Sequence, residues 1–92
     1  MGKEPLACLA IGERLFEARQ AAGLGMLALA RRAGLANATV NDIEKGRHIP
    51  AADTIERLAR ALRVRAGWLA FGEGEHLSSE NKRRSKRTQS SV

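Results

Sequence analysis

Ninety-two residues suffice for one domain, and with 43% hydrophobic but only 3% aromatic residues the core must be built from Leu, Ile, Val and Ala, which favours packed helices over a sheet. No run approaches the ~18 apolar residues of a membrane span, the stretch Leu6 to Ile11 is short for a signal peptide of ~15–30 residues, and a lone Cys8 excludes a disulfide framework or a cysteine-based zinc site and fits a reduced, cytoplasmic compartment. The net charge of +6 is spread over the chain: residues 1–72 carry eleven Lys/Arg against seven Asp/Glu, so the folding part is basic in its own right, as nucleic-acid binders often are.

Taken in chain order, residues 1–10 read as an N-terminal arm with one Pro and little pattern before Leu6. From Ile11 a helical period appears, with Ile11, Leu15, Ala18 and Ala22 on one face and Gly23 as the stop. A second helix is expected from about Met26 to Ala33, with Leu29, Ala30 and Ala33 inward and Gly34 closing it. A third runs from about Asn37 to Lys45 and stops at Gly46. Pro50 bars continuation, and a fourth helix starts near Ala52 with Ile55, Leu58, Ala59 and Leu62 as its apolar face. A short fifth helix holds Trp68, Leu69 and Phe71 and ends at Gly72. Strand-like alternation is missing from the sequence. From residue 75 onward Ser, Glu, Lys, Arg, Asn and Gln dominate, and such a tail buries too little apolar surface to offset its ordering entropy, so 75–92 reads as disordered and basic. Its stretch Lys82 to Gln89 suits phosphates or a minor groove, and equally a solubilising end.

The third helix has two unlike faces. With Val40 at zero on a helical wheel, Ile43, Ala36 and Glu44 fall within about 60° of it, whereas Ala38, Asn41, Asp42 and Lys45 lie opposite. The outer face is small and amide-bearing. Asn can hydrogen-bond the N6 and N7 edge of adenine, Asp can accept from cytosine N4, and an Ala methyl can touch the thymine methyl. An ordinary solvated helix would look the same in isolation. A short helix, a Gly-closed turn and a second short helix are the parts of a helix-turn-helix.

The blocks IGERLFEARQAAGL, LARRAGL, TVNDIEKGRHIP, TIERLARAL and WLAFGEG together resemble the lambda-repressor-like (XRE/Cro-type) helix-turn-helix family, from Ile11 to Gly74. The resemblance implies an all-α, five-helix DNA-binding domain over 11–74 whose third helix reads the major groove of double-stranded DNA. It implies base contacts from Asn37, Ala38, Asn41 and Asp42, and backbone contacts from Thr39, Lys45, Gly46, Arg47 and His48. It also implies an ion pair between Arg19 and Glu44, two charges that both fall toward the core and each need a partner. Homodimers on an inverted repeat are expected, with Trp68, Leu69 and Phe71 as possible dimer contacts; Trp68 suits the core equally well. The implied function is a repressor-type transcriptional regulator, cytoplasmic and nucleoid-associated. The alternative is a protein-interaction module, such as an antitoxin or regulatory partner, on the same fold.

The chain departs from the family pattern in its caps. Gly25-Met26-Leu27-Ala28 stands where a hydroxyl cap, a Gln and carboxylates are usual, so Met26 is not counted as a DNA contact. It reads either as drift or, with Leu27, as an apolar spot for a protein partner. Ala36, Ala51 and Arg65 replace other capping residues, and Arg63 stands where Gly or Asn often closes the fourth helix. Asp42 can pair with Lys45 at i+3 instead of meeting a base. Arg31 and Arg32 can flank DNA or sit as cations at a helix C-terminus. Catalytic and metal motifs are missing: there are two His and one Cys, with no Gly-rich phosphate loop and no H-E-x-x-H, so neither an enzyme nor a cofactor or metal is expected.

Overall fold

Helix α1 (Leu6–Ala22) begins five residues ahead of Ile11, where the amphipathic period starts. The sequence explains this: Leu-Ala-Cys-Leu-Ala contains no helix breaker, so the helix can extend ahead of the amphipathic period. The computed structural model describes residues 6–74, so the calls on the first residues of the arm and on the tail 75–92 lie outside the described residues. Four further helices follow, α2 (Met26–Ala33), α3 (Asn37–Glu44), α4 (Ala52–Leu62) and α5 (Ala66–Phe71), and no strand occurs among the described residues. None of these helices is long and apolar enough to cross a membrane.

One core joins all five helices. Ile11, Leu15 and Ala18 of α1 meet Leu29, Ala30 and Ala33 of α2, Val40 and Ile43 of α3, Ile55, Leu58, Ala59 and Leu62 of α4, and Leu69 of α5. Leu15, Leu29, Val40, Ile43, Leu58 and Leu69 are fully buried. The expected inward face of α1 is right except at Ala22, which is exposed. The chain turns at Gly23 (φ +70°), and the next residue, Leu24, packs against the core. Ala36 is also exposed, because it is the N-cap of α3 and not part of its first turn.

The helices close well and open poorly. At α1 the N–H of Gly23 donates to the carbonyl of Gln20 and that of Leu24 to the carbonyl of Arg19. The same paired closure recurs after α2, α3 and α4, and it satisfies the last carbonyls of each helix. At α4 the left-handed residue is Arg63 (φ 59°), the only non-glycine with positive φ among the described residues. The N-caps Gly25, Ala36, Ala51 and Arg65 make no side-chain cap hydrogen bond. Stability therefore comes from packing more than from helix initiation.

Gly12 sets the distance between α1 and α3. A Cβ on it would lie 2.6 Å from the carbonyl oxygens of both Ile43 and Glu44. A glycine inside a helix weakens it by roughly 0.5–1 kcal/mol relative to Ala; here it lets α3 press directly on α1.

Candidate nucleic-acid interface

Helix α3 is held from behind and open in front. Val40 and Ile43 are completely buried and fix the rotation of the helix. Asn37 and Ala38 are exposed at its first turn, and Asn41 and Asp42 are half-buried one turn on. Lys45 is the C-cap, so the helix ends one residue before the sequence suggested. Thr39 and Gly46 are half-buried, while Arg47 and His48 stand exposed on the loop to Pro50. Of the nine residues named as DNA contacts, Ala38, Asn41, Asp42 and Lys45 share the outward side of α3 and its C-cap, Asn37 and Thr39 flank it, and Gly46, Arg47 and His48 lie on the loop that follows.

Arg19 and Glu44 lock this helix to α1. Arg19 Nε donates to Glu44 Oε2 at 2.6 Å and Nη2 donates to Oε1 at 3.0 Å, a bidentate pair. The remaining nitrogen, Nη1, donates to the carbonyl of Leu24 at 3.0 Å. Phe16 covers the guanidinium, with its ring centroid 5.4 Å from Cζ. Both side chains are about nine-tenths buried, and the hydrogen bond to Glu44 raises the Arg19 pKa above its ordinary value against the opposing pull of burial. One guanidinium therefore joins α1, the loop to α2, and α3.

Asp42 pairs with Arg47, not with Lys45. Arg47 Nη1 donates to Asp42 Oδ1 at 3.1 Å, and the side chains keep 60% and 39% of their surface exposed. An exposed pair of this kind is worth roughly 0.2–1 kcal/mol, so it can open readily for a phosphate or a base.

An open groove of about 440 Å³ runs between α1, the start of α2 and the edge of α3. Asn41 and Lys45 line one side, and Phe16 and Met26 the other. Sequence reasoning missed Phe16 here. The signal was present, since it is one of three aromatic residues and sits three residues before Arg19.

Arg14 was also missed. Its Nε donates to the carbonyl of Leu69 at 2.9 Å and its Nη2 to that of Ala70 at 3.0 Å, so it satisfies the end of α5, whose last turn has no basic residue of its own. The α5 residues proposed for a dimer divide. Leu69 is 0% exposed and packs in the core, which removes it as a contact for a second subunit. Trp68 is half-buried against that core, and Phe71 is 74% exposed.

This fold and this face define a helix-turn-helix domain. The chain belongs to the HTH_3 family, described as Helix-turn-helix, whose model matches residues 15–69. It is 40% identical over 65 residues to the HTH-type transcriptional regulator for conjugative element R391 of Providencia rettgeri, a match covering 71% of this chain and 30% of that relative. The chain thus spans less than a third of that curated relative's length. Its fold is similar to the restriction-modification controller protein C.AhdI from Aeromonas hydrophila, with a TM-score of 0.65 at 34% identity, covering 67% of this chain and 94% of that one. It is also similar to a chain of the SinR protein/SinI protein complex, with a TM-score of 0.67 at 27% identity, covering 88% and 80%.

Proposed function

We propose that the protein is a sequence-specific, double-stranded-DNA-binding transcriptional regulator that represses by occupying an operator. The observation that carries this is the outer face of α3, polar and accessible on a helix whose inner face is completely buried, in a chain of the HTH_3 family. Asn37, Ala38, Asn41 and Asp42 read base edges in the major groove. Thr39, Lys45, Gly46, Arg47 and His48 hold the sugar-phosphate strand beside them. The two exposed N-terminal residues of α3 leave backbone N–H groups with no side-chain cap, which suits a nearby phosphate. The protein acts in the cytoplasm, on the nucleoid, as a homodimer on an inverted repeat with half-sites ~34–36 Å apart. Phe71 and the half-buried Trp68 are the α5 residues that remain for the dimer contact, and Leu9 of α1, 40% exposed, is a further one.

The test is a binding selection from random duplexes at physiological salt. Recovery of an inverted repeat, with half-sites one helical turn apart, supports the reading. Enrichment of no motif overturns it. The second reading, a protein-interaction module, draws on Leu27, which is 53% exposed beside the Met26 groove, and on the similarity to a chain of a two-protein complex. Under that reading Leu27→Glu abolishes partner capture in a pull-down and leaves duplex binding intact.

A further inference from the structure

A second basic surface lies at the far ends of α2 and α4. Arg31 and Arg32 from the last turns of α2 face Arg57, Arg60 and Arg63 of α4 and its C-cap across a groove of about 480 Å³. Ala33, Gly34 and Ala61 complete it, so its lining has no aromatic or large aliphatic side chain. Arg57 is engaged, donating to the carbonyl of Gly34 at 3.4 Å and lying 3.7 Å from Asp53. Arg31, Arg32 and Arg60 are exposed and make no ion pair or hydrogen bond among the described residues.

The helix C-termini account for part of this. A cation in a last turn gains about 0.3–1 kcal/mol from the helix dipole, which favours single arginines there. It does not explain three unpaired arginines, Arg31, Arg32 and Arg60, gathered on one groove. Guanidinium forks match phosphate oxygens in pairs. A protein partner would normally bring aromatic or aliphatic anchors that need apolar pockets, and this lining offers none. A repeating phosphodiester chain needs only charge and fork geometry.

The groove opens at the end of α2 opposite to the one that borders Asn41 and Lys45. It shares no lining residue with the groove beside Asn41 and Lys45. Met26 at one end of α2 belongs to the first, and Arg31 to Gly34 at the other end to the second; eight residues separate those ends by about 12 Å. Helix α4 starts four residues after His48 and carries Arg60 and Arg63 away from the phosphate-holding loop. From this placement we infer that the arginine groove between the C-terminal ends of α2 and α4 is a second phosphodiester-binding surface, with which the protein holds a second DNA duplex. The inference rests on the reading that α3 holds the first.

A sandwich capture tests it with the full chain. A random-sequence duplex of about 30 base pairs is fixed to beads, protein is added at about 50 mM salt, and a labelled duplex of the same kind follows. Wild-type protein retains the labelled duplex. Arg31→Ala/Arg32→Ala/Arg60→Ala, checked for an unchanged circular dichroism melt, stays on the beads to within twofold but loses at least tenfold of the captured label. The slope of log capture against log salt falls by up to about three, roughly 0.9 per lost phosphate contact. Protein that binds the beads yet captures no label overturns the groove and leaves the α3 reading standing, whereas protein that never binds the beads overturns the α3 reading and, with it, the inference. Three further outcomes overturn the groove's assignment: capture undiminished in the triple variant, duplex held only when joined end to end with the bead-bound one, and competition by polyglutamate as effective as that by unlabelled duplex.

Discussion

The two Arg–carboxylate pairs on α3 use the same chemistry for opposite ends. Arg19–Glu44 is buried, bidentate and covered by Phe16. Arg47–Asp42 is single-bonded and open to water. A buried pair contributes little net stability but is strongly destabilising to break, because the surviving charge is left without a partner. An exposed pair is loosened by water and salt at little expense. The first thus fixes where α3 sits, and the second leaves both of its charged groups at the surface, free to exchange their bond for water.

Breaking the buried pair should have the largest effect. Glu44→Ala should lower unfolding free energy by ~3–5 kcal/mol, read from urea denaturation; a loss below about 1 kcal/mol would mean that Arg19 finds water. Next comes the contact that brings α1 onto α3. Gly12→Ala places a Cβ 2.6 Å from two carbonyl oxygens, so overpacking of about 1–3 kcal/mol is expected despite the better helix propensity of Ala. A Tm equal to or above that of the parent would show that the two helices can move apart.

On the exposed side, effects move from stability to binding. Asn41→Ala should leave the melt unchanged and remove ~1–3 kcal/mol of discrimination at one base position, measured by repeating the selection with the variant. Arg47→Ala should shift stability by no more than ~0.5 kcal/mol, weaken binding to all duplexes alike and reduce the salt slope by about 0.9. The smallest and sharpest is Asp42→Asn. It releases Arg47 and removes a carboxylate near phosphates, so affinity for random duplex should rise, read by fluorescence anisotropy. A fall instead would mean that Asp42 positions Arg47 for its phosphate.

Much of this was legible in the residues. The five helices, the glycine stops of four of them, and the inward rows of α2 and α4 follow from period and punctuation, because a helix face repeats at fixed spacing and a left-handed stop is easiest for Gly. The inward lean of Arg19 and Glu44 could be read from angles on their own helices. The failures lie where a residue's fate depended on another element. Ala22 has the spacing of a core residue, but it is the last residue of α1 and stands exposed where the helix ends at Gly23. Leu69 could have faced a second subunit, and the packing of α5 against the core buries it. Asp42 has Lys45 at helical spacing, yet it meets Arg47, which the loop folds back beside it.

The order of secondary elements, the basic charge, the two-faced third helix and membership of a helix-turn-helix family are properties of the sequence alone, since each rests on local spacing or on residues matched in line. The close approach at Gly12, the capping of α5 by Arg14 and the meeting of five arginines from α2 and α4 belong to the tertiary structure. Each joins residues far apart in the chain, and no local pattern records which helix ends the packing of the core will bring together.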